Sequence, residues 1–441
     1  MKEKLAFTHF STLEKWYIEQ YLRKELQGKF PMLPLSKILQ PRKERVFSQE
    51  YNSDIPLVSK IRFVDGKIFY RTAKPKNDVF LAKKNDLLVS NINFEKGAFC
   101  IIDKDLVACS TDYQPYKIIF NDILPQYLNL CLRCNVFLEN VAVAKPKGMK
   151  VRAKWEFIKT FSIPVPSIEE QNELLAQYNE RLLKAELIKD DCSYYHVERY
   201  IENHLMLNSI STERSNSILN FTESSELFTW DVRNRSDHKV FQTSKYVQKP
   251  LKFLAEINPS LTKKLKNDDE VTFIPMECVS DLDGNIKERR TCKAEKKGFT
   301  KFENGDVIWA KITPCMQNGK AAVVCELKNG VGYGSTEFYV IRTNKDVLLP
   351  EYLHYLLRMH RVREEAVNYF SGSAGQQRVR KSFLEELSIP LPSLEEQRLI
   401  VEQLDEIKSN IIANRDKTEN LYKQAKQDFE CAIFKVQNVG L

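Results

Sequence analysis

The side chains in this sequence best placed for chemistry are polar and basic ones gathered in loop-like stretches, and the chemistry they suit is recognition. Residues 371–381 read SGSAGQQRVRK. The glycines permit close approach of a backbone to a ligand. Gln376, Gln377 and Arg378 are side-chain types that read base edges in a duplex major groove, Arg380 and Lys381 suit phosphates, and Ser373 is grouped with them. A second stretch, 311–320, offers Lys311, Thr313, Gln317, Asn318 and Lys320. The first half of the chain carries counterparts at matching places. Residues 144–154, AKPKGMKVRAK, hold Lys145, Lys147, Lys150 and Arg152 with no acid, and the other counterpart contributes Ser90, Asn91, Asn93 and Lys96. Most basic runs are solvated faces and nothing more. Parallel placement of two such loops in both halves makes these candidate DNA-binding residues.

No catalytic apparatus accompanies them in the sequence. It contains no GxxxxGK[ST] phosphate loop, no GxGxxG after a strand, no HExxH and no GxSxG. An Asn-Pro-Pro-aromatic or Asp-Pro-Pro-aromatic tetrad is also missing. The six histidines are scattered, with His354 and His360 on an expected helix as packing or surface residues. Cys131 and Cys134 form the CxxC of PQYLNLCLRCNVFL, whose helical spacing favours two packed thiols over a metal site. The chain is expected to be non-catalytic, binding neither metal nor cofactor.

At 441 residues there is room for two or three domains, and 43% hydrophobic with 29% charged residues is an ordinary globular composition. The net charge of +8 permits a polyanionic partner without requiring one. The start, MKEKLAFTHFSTLEKW, lacks the layout of a signal peptide, and no apolar run approaches the roughly 20 residues of a membrane span. Ten cysteines without a disulfide-like cadence suit a reducing compartment, so a cytoplasmic location with no membrane association is expected.

A repeated phrase positions these loops. IPVPSIEEQ at 163–171 returns as IPLPSLEEQ at 389–397, 226 residues later, with only aliphatic exchanges. The two prolines keep the incoming chain extended. Ser167 with Glu170, and Ser393 with Glu396, then form capping boxes that open helices. Further matches lie between the copies. Trp16 answers Trp230, Asp65-Gly66 answers Asp283-Gly284, Ser110-Thr111-Asp112-Tyr113 answers Ser335-Thr336-Glu337-Phe338, and LPQYLNLCLR answers LPEYLHYLLR. One ancestral module has been duplicated.

The fold class expected is mixed, α+β or α/β. Two similar globular domains are separated by two long antiparallel helices that form a coiled coil. The expected order is a first domain over 1–166, a long helix over 167–207, a linker and entry over 208–244, a second domain over 245–392 and a second long helix over 393–436. In the second helix Ile400, Ile407 and Leu421, with Leu404, Ile411 and Ala425, make an a/d seam. Two long seams in one chain most economically bury each other.

Taken together, these features resemble the specificity subunit of type I restriction–modification enzymes. The stretches that carry the likeness are GFTKFENGDVIWAKITPCMQNGK (298–320), GSTEFYVI (334–341), SGSAGQQ (371–377) and LSIPLPSLEEQRLIVEQLDEI (387–407), with the doubled phrase. The resemblance implies a subunit without an active site whose two target-recognition domains each read one half of a split, asymmetric site in double-stranded DNA. It also implies helices that dock two modification subunits, which bind S-adenosylmethionine and methylate adenine, and an assembly that recruits translocating restriction subunits. Module one departs from the likeness where Lys145-Pro146-Lys147-Gly148-Met149-Lys150 stands in place of SGSAGQQ. Two other readings remain: a coiled-coil adaptor whose globules bind protein, and a stand-alone nuclease, for which the sequence displays no metal cluster.

Overall fold

A computed structural model describes residues 26–72, 74–144, 153–189, 193–207, 239–241, 243–295, 297–372 and 376–435. Trp16, Trp230, Asp190, Asp191, most of the Ser/Asn/Thr-rich linker, Lys145, Lys147, Lys150, Arg152 and Ser373 lie outside the described residues. The longer helices are α1 (Pro125–Leu132), α2 (Asn135–Ala144), α3 (Ile168–Lys189), α4 (Tyr195–Leu205), α5 (Pro350–Arg358), α6 (His360–Val367) and α7 (Leu394–Ile433).

The chain divides into two compact units, one of Met1–Leu187 with Lys417–Leu441 and one of Ile188–Asp416. The divisions fall inside the helical stretches, where the sequence led us to expect them at helix starts. The reason is packing. Leu174, Leu175 and Tyr178 of α3 lie against the core of the first unit, and Ile400, Leu404 and Ile411 of α7 belong to the core of the second. A second departure concerns the helix expected over 167–207. It is two helices, with Ser193 and Tyr194 non-helical just before α4. The Ser193 hydroxyl accepts the Tyr195 N–H at 3.2 Å, and the Tyr194 hydroxyl is held by Arg358 Nε at 3.2 Å. By contrast α7 runs unbroken for 40 residues, close to its expected span.

Both units use the same strand plan. In the first, Met32–Pro34 pairs with Ser162–Pro164. One sheet has the spatial order Leu39–Pro41, Tyr113–Ile118, Leu87–Ser90, Phe99–Ile101. A five-stranded sheet contains a parallel contact of Leu57–Ile61 with Leu106–Ser110. In the second unit Gln248–Pro250 pairs with Ser388–Pro390, and one sheet has the order Ala255–Ile257, Phe338–Thr343, Val307–Ala310, Ala321–Val323. Another contains the parallel pair Glu270–Ile274 with Val331–Gly334. Duplication seen in the letters is thus duplication in topology.

The repeated phrase has a concrete task. Its last residue, Gln171 or Gln397, is 0% exposed in both copies. Gln171 Oε1 accepts the Leu124 N–H at 2.9 Å while Nε2 donates to the carbonyls of Asp122 (2.9 Å) and Pro166 (3.0 Å). Gln397 does the same with the Leu349 N–H and the carbonyls of Val347 and Pro392, at 2.9, 2.9 and 3.0 Å. Each glutamine ties the mouth of its long helix to the turn that opens α1 or α5. Tyr127 and Tyr352 add hydroxyl bonds to the carbonyls of Pro164 (2.8 Å) and Pro390 (3.0 Å). Both capping boxes form, with Ser167 N–H to Glu170 at 2.9 Å and Ser393 N–H to Glu396 at 3.0 Å.

Each unit is closed by a helix. In the first, the end of α7 runs antiparallel to α3. Tyr178 stacks edge-on with Phe429, Arg181 pairs with Asp428, and the Tyr422 hydroxyl meets Glu186. Glu430 accepts the first N–H groups of α2, from Asn135 at 2.7 Å and Val136 at 3.2 Å. In the second unit α4 stands in that role, and Glu198 accepts the His360 N–H that opens α6 at 2.8 Å. Cys131 and Cys134 are packed thiols in the first core, their ionisation suppressed by burial. His354 is buried too, with its ring nitrogen 3.1 Å from the Ala321 carbonyl. Among the described residues no helix is long and apolar enough to cross a membrane.

The latch makes a testable demand. Gln397→Leu removes one acceptor and two donors from a fully buried site and leaves backbone groups unpaired, at roughly 1–3 kcal/mol for each orphaned group. With three groups orphaned, a loss of about 3 kcal/mol or more should appear in denaturant unfolding of the second unit. A midpoint equal to wild type would contradict the assignment.

Candidate functional site

In the second unit, strand Val307–Ala310 is wholly buried and delivers the chain into the loop 311–320. The strand is anchored by Asp306. Its carboxylate takes both Nε and Nη2 of Arg342 at 2.7 Å, and it accepts the Glu303 N–H at 2.8 Å. The first unit repeats the device with Asp86 and Arg42, at 2.6 and 2.9 Å. The loop itself is a tight coil. Met316 is its buried plug, its N–H bonded to the Ile312 carbonyl at 2.9 Å, and the Asn318 N–H meets the Pro314 carbonyl at 3.0 Å. Gly319 has φ +77°, a conformation that favours glycine. Arg363 and Arg358 hold the carbonyls of Gln317 and Gly319, each at 2.6 Å.

The second candidate loop lies beside the first. Phe370–Ser371 and Arg378–Val379 form a short antiparallel ribbon. The Val379 N–H bonds to the Lys311 carbonyl at 2.9 Å, and the Thr313 N–H to the Gln377 carbonyl at 3.0 Å. The two stretches singled out in the sequence are therefore one surface. The first unit shows the same join: the N–H of Ala153, near the end of the basic run, bonds to the Asn91 carbonyl at 2.6 Å. Even the partner on the other side matches. The Asn91 N–H meets the Asp112 carbonyl at 2.8 Å, and the Lys311 N–H meets the Glu337 carbonyl at 2.9 Å.

The structure sorts the individual residues. Gln317, Asn318 and Gln376 are exposed on this surface, and Gln377 is half-buried. The Thr313 hydroxyl donates to Gln317 Oε1 at 2.5 Å. Lys311 lies over the Tyr339 ring at 5.2 Å, and beside it opens a cleft of about 430 Å³ bordered by Asn258, Ser260, Lys301 and Phe338. Arg378, expected to read bases, is engaged by Glu337 in a two-pronged pair at 2.9 and 2.7 Å. Lys320 is turned inward, its ammonium 3.0 Å from the Met276 carbonyl. Lys381 pairs with Glu385 at 2.9 Å on an exposed face, a contact weak enough to yield to a phosphate. In the first unit Ser90 is buried, and its hydroxyl accepts the Ile92 N–H at 3.4 Å, so it braces the turn. Asn91 bonds to the Thr111 carbonyl at 3.3 Å, the Asn93 carbonyl accepts from Lys96 and Ala98, and the Lys96 side chain is exposed.

The reading from sequence alone missed Glu337, Arg358 and Arg363. The repeat held a signal for Arg358, which closes LPEYLHYLLR as Arg133 closes LPQYLNLCLR. Among the described residues no group of three or more His, Cys, Asp or Glu could hold a metal ion. The Arg378 hydrogen bonds hold the Glu337 carboxyl below its ordinary 4.5. A lowered carboxylate pKa stabilises above the ordinary value, and the contribution disappears as pH falls through the lowered one. The difference in unfolding midpoint between wild type and Glu337→Gln should therefore be constant above about pH 4.5 and shrink below it. A difference independent of pH would contradict the pairing.

Comparison with known proteins bears on this surface. A sequence model of the family described as Type I restriction modification DNA specificity domain matches residues 244–422. The Type I restriction enzyme EcoAI specificity subunit of Escherichia coli is 40% identical over 158 residues, 35% of this chain and 27% of that protein. The EcoEI specificity subunit of the same species is 39% identical over 150 residues, 34% of this chain and 25% of that protein. The chain thus spans about a quarter of the length of these curated relatives. A solved chain from work on complex assembly and conformational transition of the type I R-M system superimposes with a TM-score of 0.55 at 18% identity. That alignment covers 93% of this chain and 98% of the other, a likeness of fold.

Proposed function

We propose that this chain, whose residues 244–422 match the Type I restriction modification DNA specificity domain, belongs with the specificity subunits of those systems and is the sequence-reading, non-catalytic subunit of such a complex. Each globular unit reads one half of a bipartite, asymmetric DNA target. The helices dock two modification subunits that bind S-adenosylmethionine and methylate adenine, and the assembly recruits translocating restriction subunits in the cytoplasm. One observation carries the reading. On a frame that shares its strand order and the backbone bonds joining its two loops, the polar loop residues differ between the two copies, with half-buried Asn91 and Asn93 and exposed Lys96 in one and exposed Gln317, Asn318 and Gln376 in the other. A shared scaffold with divergent loops is what two half-sites of different sequence require.

Amide side chains can discriminate base edges by paired hydrogen bonds, and a good pair is worth about 1–3 kcal/mol against the wrong base. The +8 charge supports the phosphate contacts that give affinity without sequence information. Replacing 245–385 with the corresponding residues of a relative and mapping methylated sites tests the modular reading. One half of the target should change and the other persist. A change in both halves, or in neither, would overturn it.

At single residues, Gln376→Ala or Asn318→Ala should relax discrimination in one half-site by roughly 1–3 kcal/mol. Lys311→Ala should weaken all sequences alike and flatten the dependence of log K on log salt by about one unit. Competition binding at several salt concentrations separates the two effects. Identical behaviour of the amide and lysine variants would show that the readers are misassigned.

A further inference from the structure

The two units hold the same buried acid with a guanidinium that comes from different places, and the difference frees a surface position in one of them. Strand pairing sets the correspondence. The Arg42 N–H meets the Pro115 carbonyl at 2.9 Å and the Asn258 N–H meets the Val340 carbonyl at 2.7 Å, so Asn258 stands where Arg42 stands in the first unit. Arg42 turns its side chain onto Asp86. In the second unit Arg342 supplies the guanidinium for Asp306 from the neighbouring strand, at the position that Lys117 holds in the first. Asn258 is thereby released to an exposed place. Its Oδ1 accepts the Val340 N–H at 3.0 Å, which leaves the amide Nδ2 as a donor.

The cleft of about 430 Å³ beside Lys311 opens at this point. One wall is firmly held: Arg342 Nη1 donates to the Ser260 carbonyl at 3.1 Å, and Glu303 accepts the N–H groups of Thr262 and Lys263 at 2.8 and 3.0 Å. The polar side chains that border the cleft are Asn258, Ser260, Thr300, Lys301 and Lys311, all of which can donate, and no carboxylate is among them. Among the described residues Lys301 and Lys311 form no ion pair, and their ammonium groups lie over the rings of Tyr333 and Tyr339 at 5.0 and 5.2 Å. The Glu337 carboxylate near Lys311 is itself engaged by Arg378. In the first unit Leu81 and Asn91 stand in the places of Lys301 and Lys311.

Donors and two cations without an acid suit an oxyanion. Lys311 decides which one. Its carbonyl receives the Val379 N–H that joins the two candidate loops, while its ammonium borders the cleft. The cleft is continuous with the surface assigned to duplex DNA, and the oxyanion that a duplex brings beside a reading loop is a backbone phosphate. We propose that this cleft seats a phosphate of the DNA backbone beside the second unit's half-site, with Lys301 as a further DNA contact and Asn258 and Ser260 as supporting donors, and that the first unit has no equivalent. This inference rests on the function proposed above and deepens it, because it makes the two units unequal in their grip on the duplex.

The test uses the full chain and a duplex carrying its target, with affinity followed by fluorescence anisotropy across a salt series. Lys301→Ala, at unchanged unfolding midpoint, should weaken binding about five- to tenfold near about 0.1 M salt, on target and unrelated duplexes alike, and reduce the slope of log K against log salt by about one unit. Lys301→Arg should keep the slope. Uncharged methylphosphonate linkages, placed one at a time along both DNA strands, then locate the contact. One or two linkages beside a single half-site should weaken the wild type while costing Lys301→Ala nothing further, and in the other half-site the two losses should add. Wild-type affinity and slope in a folded Lys301→Ala chain would overturn the proposal, and so would additivity at every linkage. Loss of inorganic-phosphate binding in Lys301→Ala with duplex affinity intact would make the cleft a seat for a free anion and overturn it as well. Equal wild-type affinity for target and unrelated duplexes, with the Lys301 salt effect intact, would instead sink the sequence-reading function and leave the phosphate seat standing.

Discussion

A guanidinium buried among carbonyls is the interaction on which the rest depends. Arg358 is 3% exposed, and its Nη1 and Nη2 reach the carbonyls of Gly319, Asp281 and Leu282 at 2.6, 3.1 and 3.1 Å. Arg133 gives its unit the same service through the carbonyls of Phe63 and Phe99. Burial lowers the Arg133 pKa from its ordinary value. A buried charge costs several kcal/mol unless its donors are satisfied, so each carbonyl is fixed in place by that requirement. The outcome is a firm junction between helix, turn and loop.

From that junction the division of labour follows. Backbone bonds that bring the two candidate loops together depend on the strand register and on Asp86 or Asp306, none of which involves an exposed side chain. Side chains at the loop surface can therefore change without disturbing the frame. Gln171 and Gln397 fix the other boundary, where each unit meets its long helix.

Much of this was legible because the chain contains its own comparison. The doubled phrase disclosed the capping boxes, the Asp-Gly pairs disclosed the turns, and Pro125 and Pro350 marked the starts of α1 and α5. Side-chain pairing across distance was not legible. Arg378 stands 41 residues from Glu337, and no local pattern distinguishes a base reader from an arginine already held by a carboxylate. Inward rotation of Lys320 and burial of Ser90 are likewise set by strand register and packing. What holds the chain just before α4 is Tyr194 docking on Arg358, a tertiary contact that no local pattern announces.

The most direct test is photo-crosslinking of the full chain to a target duplex carrying a reactive base in one half-site at a time, with the attached peptides located by mass spectrometry. If each unit reads its own half through its paired loops, one half-site should label 311–320 and 371–381, and the other should label 90–96 and the 144–154 stretch. Labelling of both units from one half-site, or of neither pair of loops, would contradict the account.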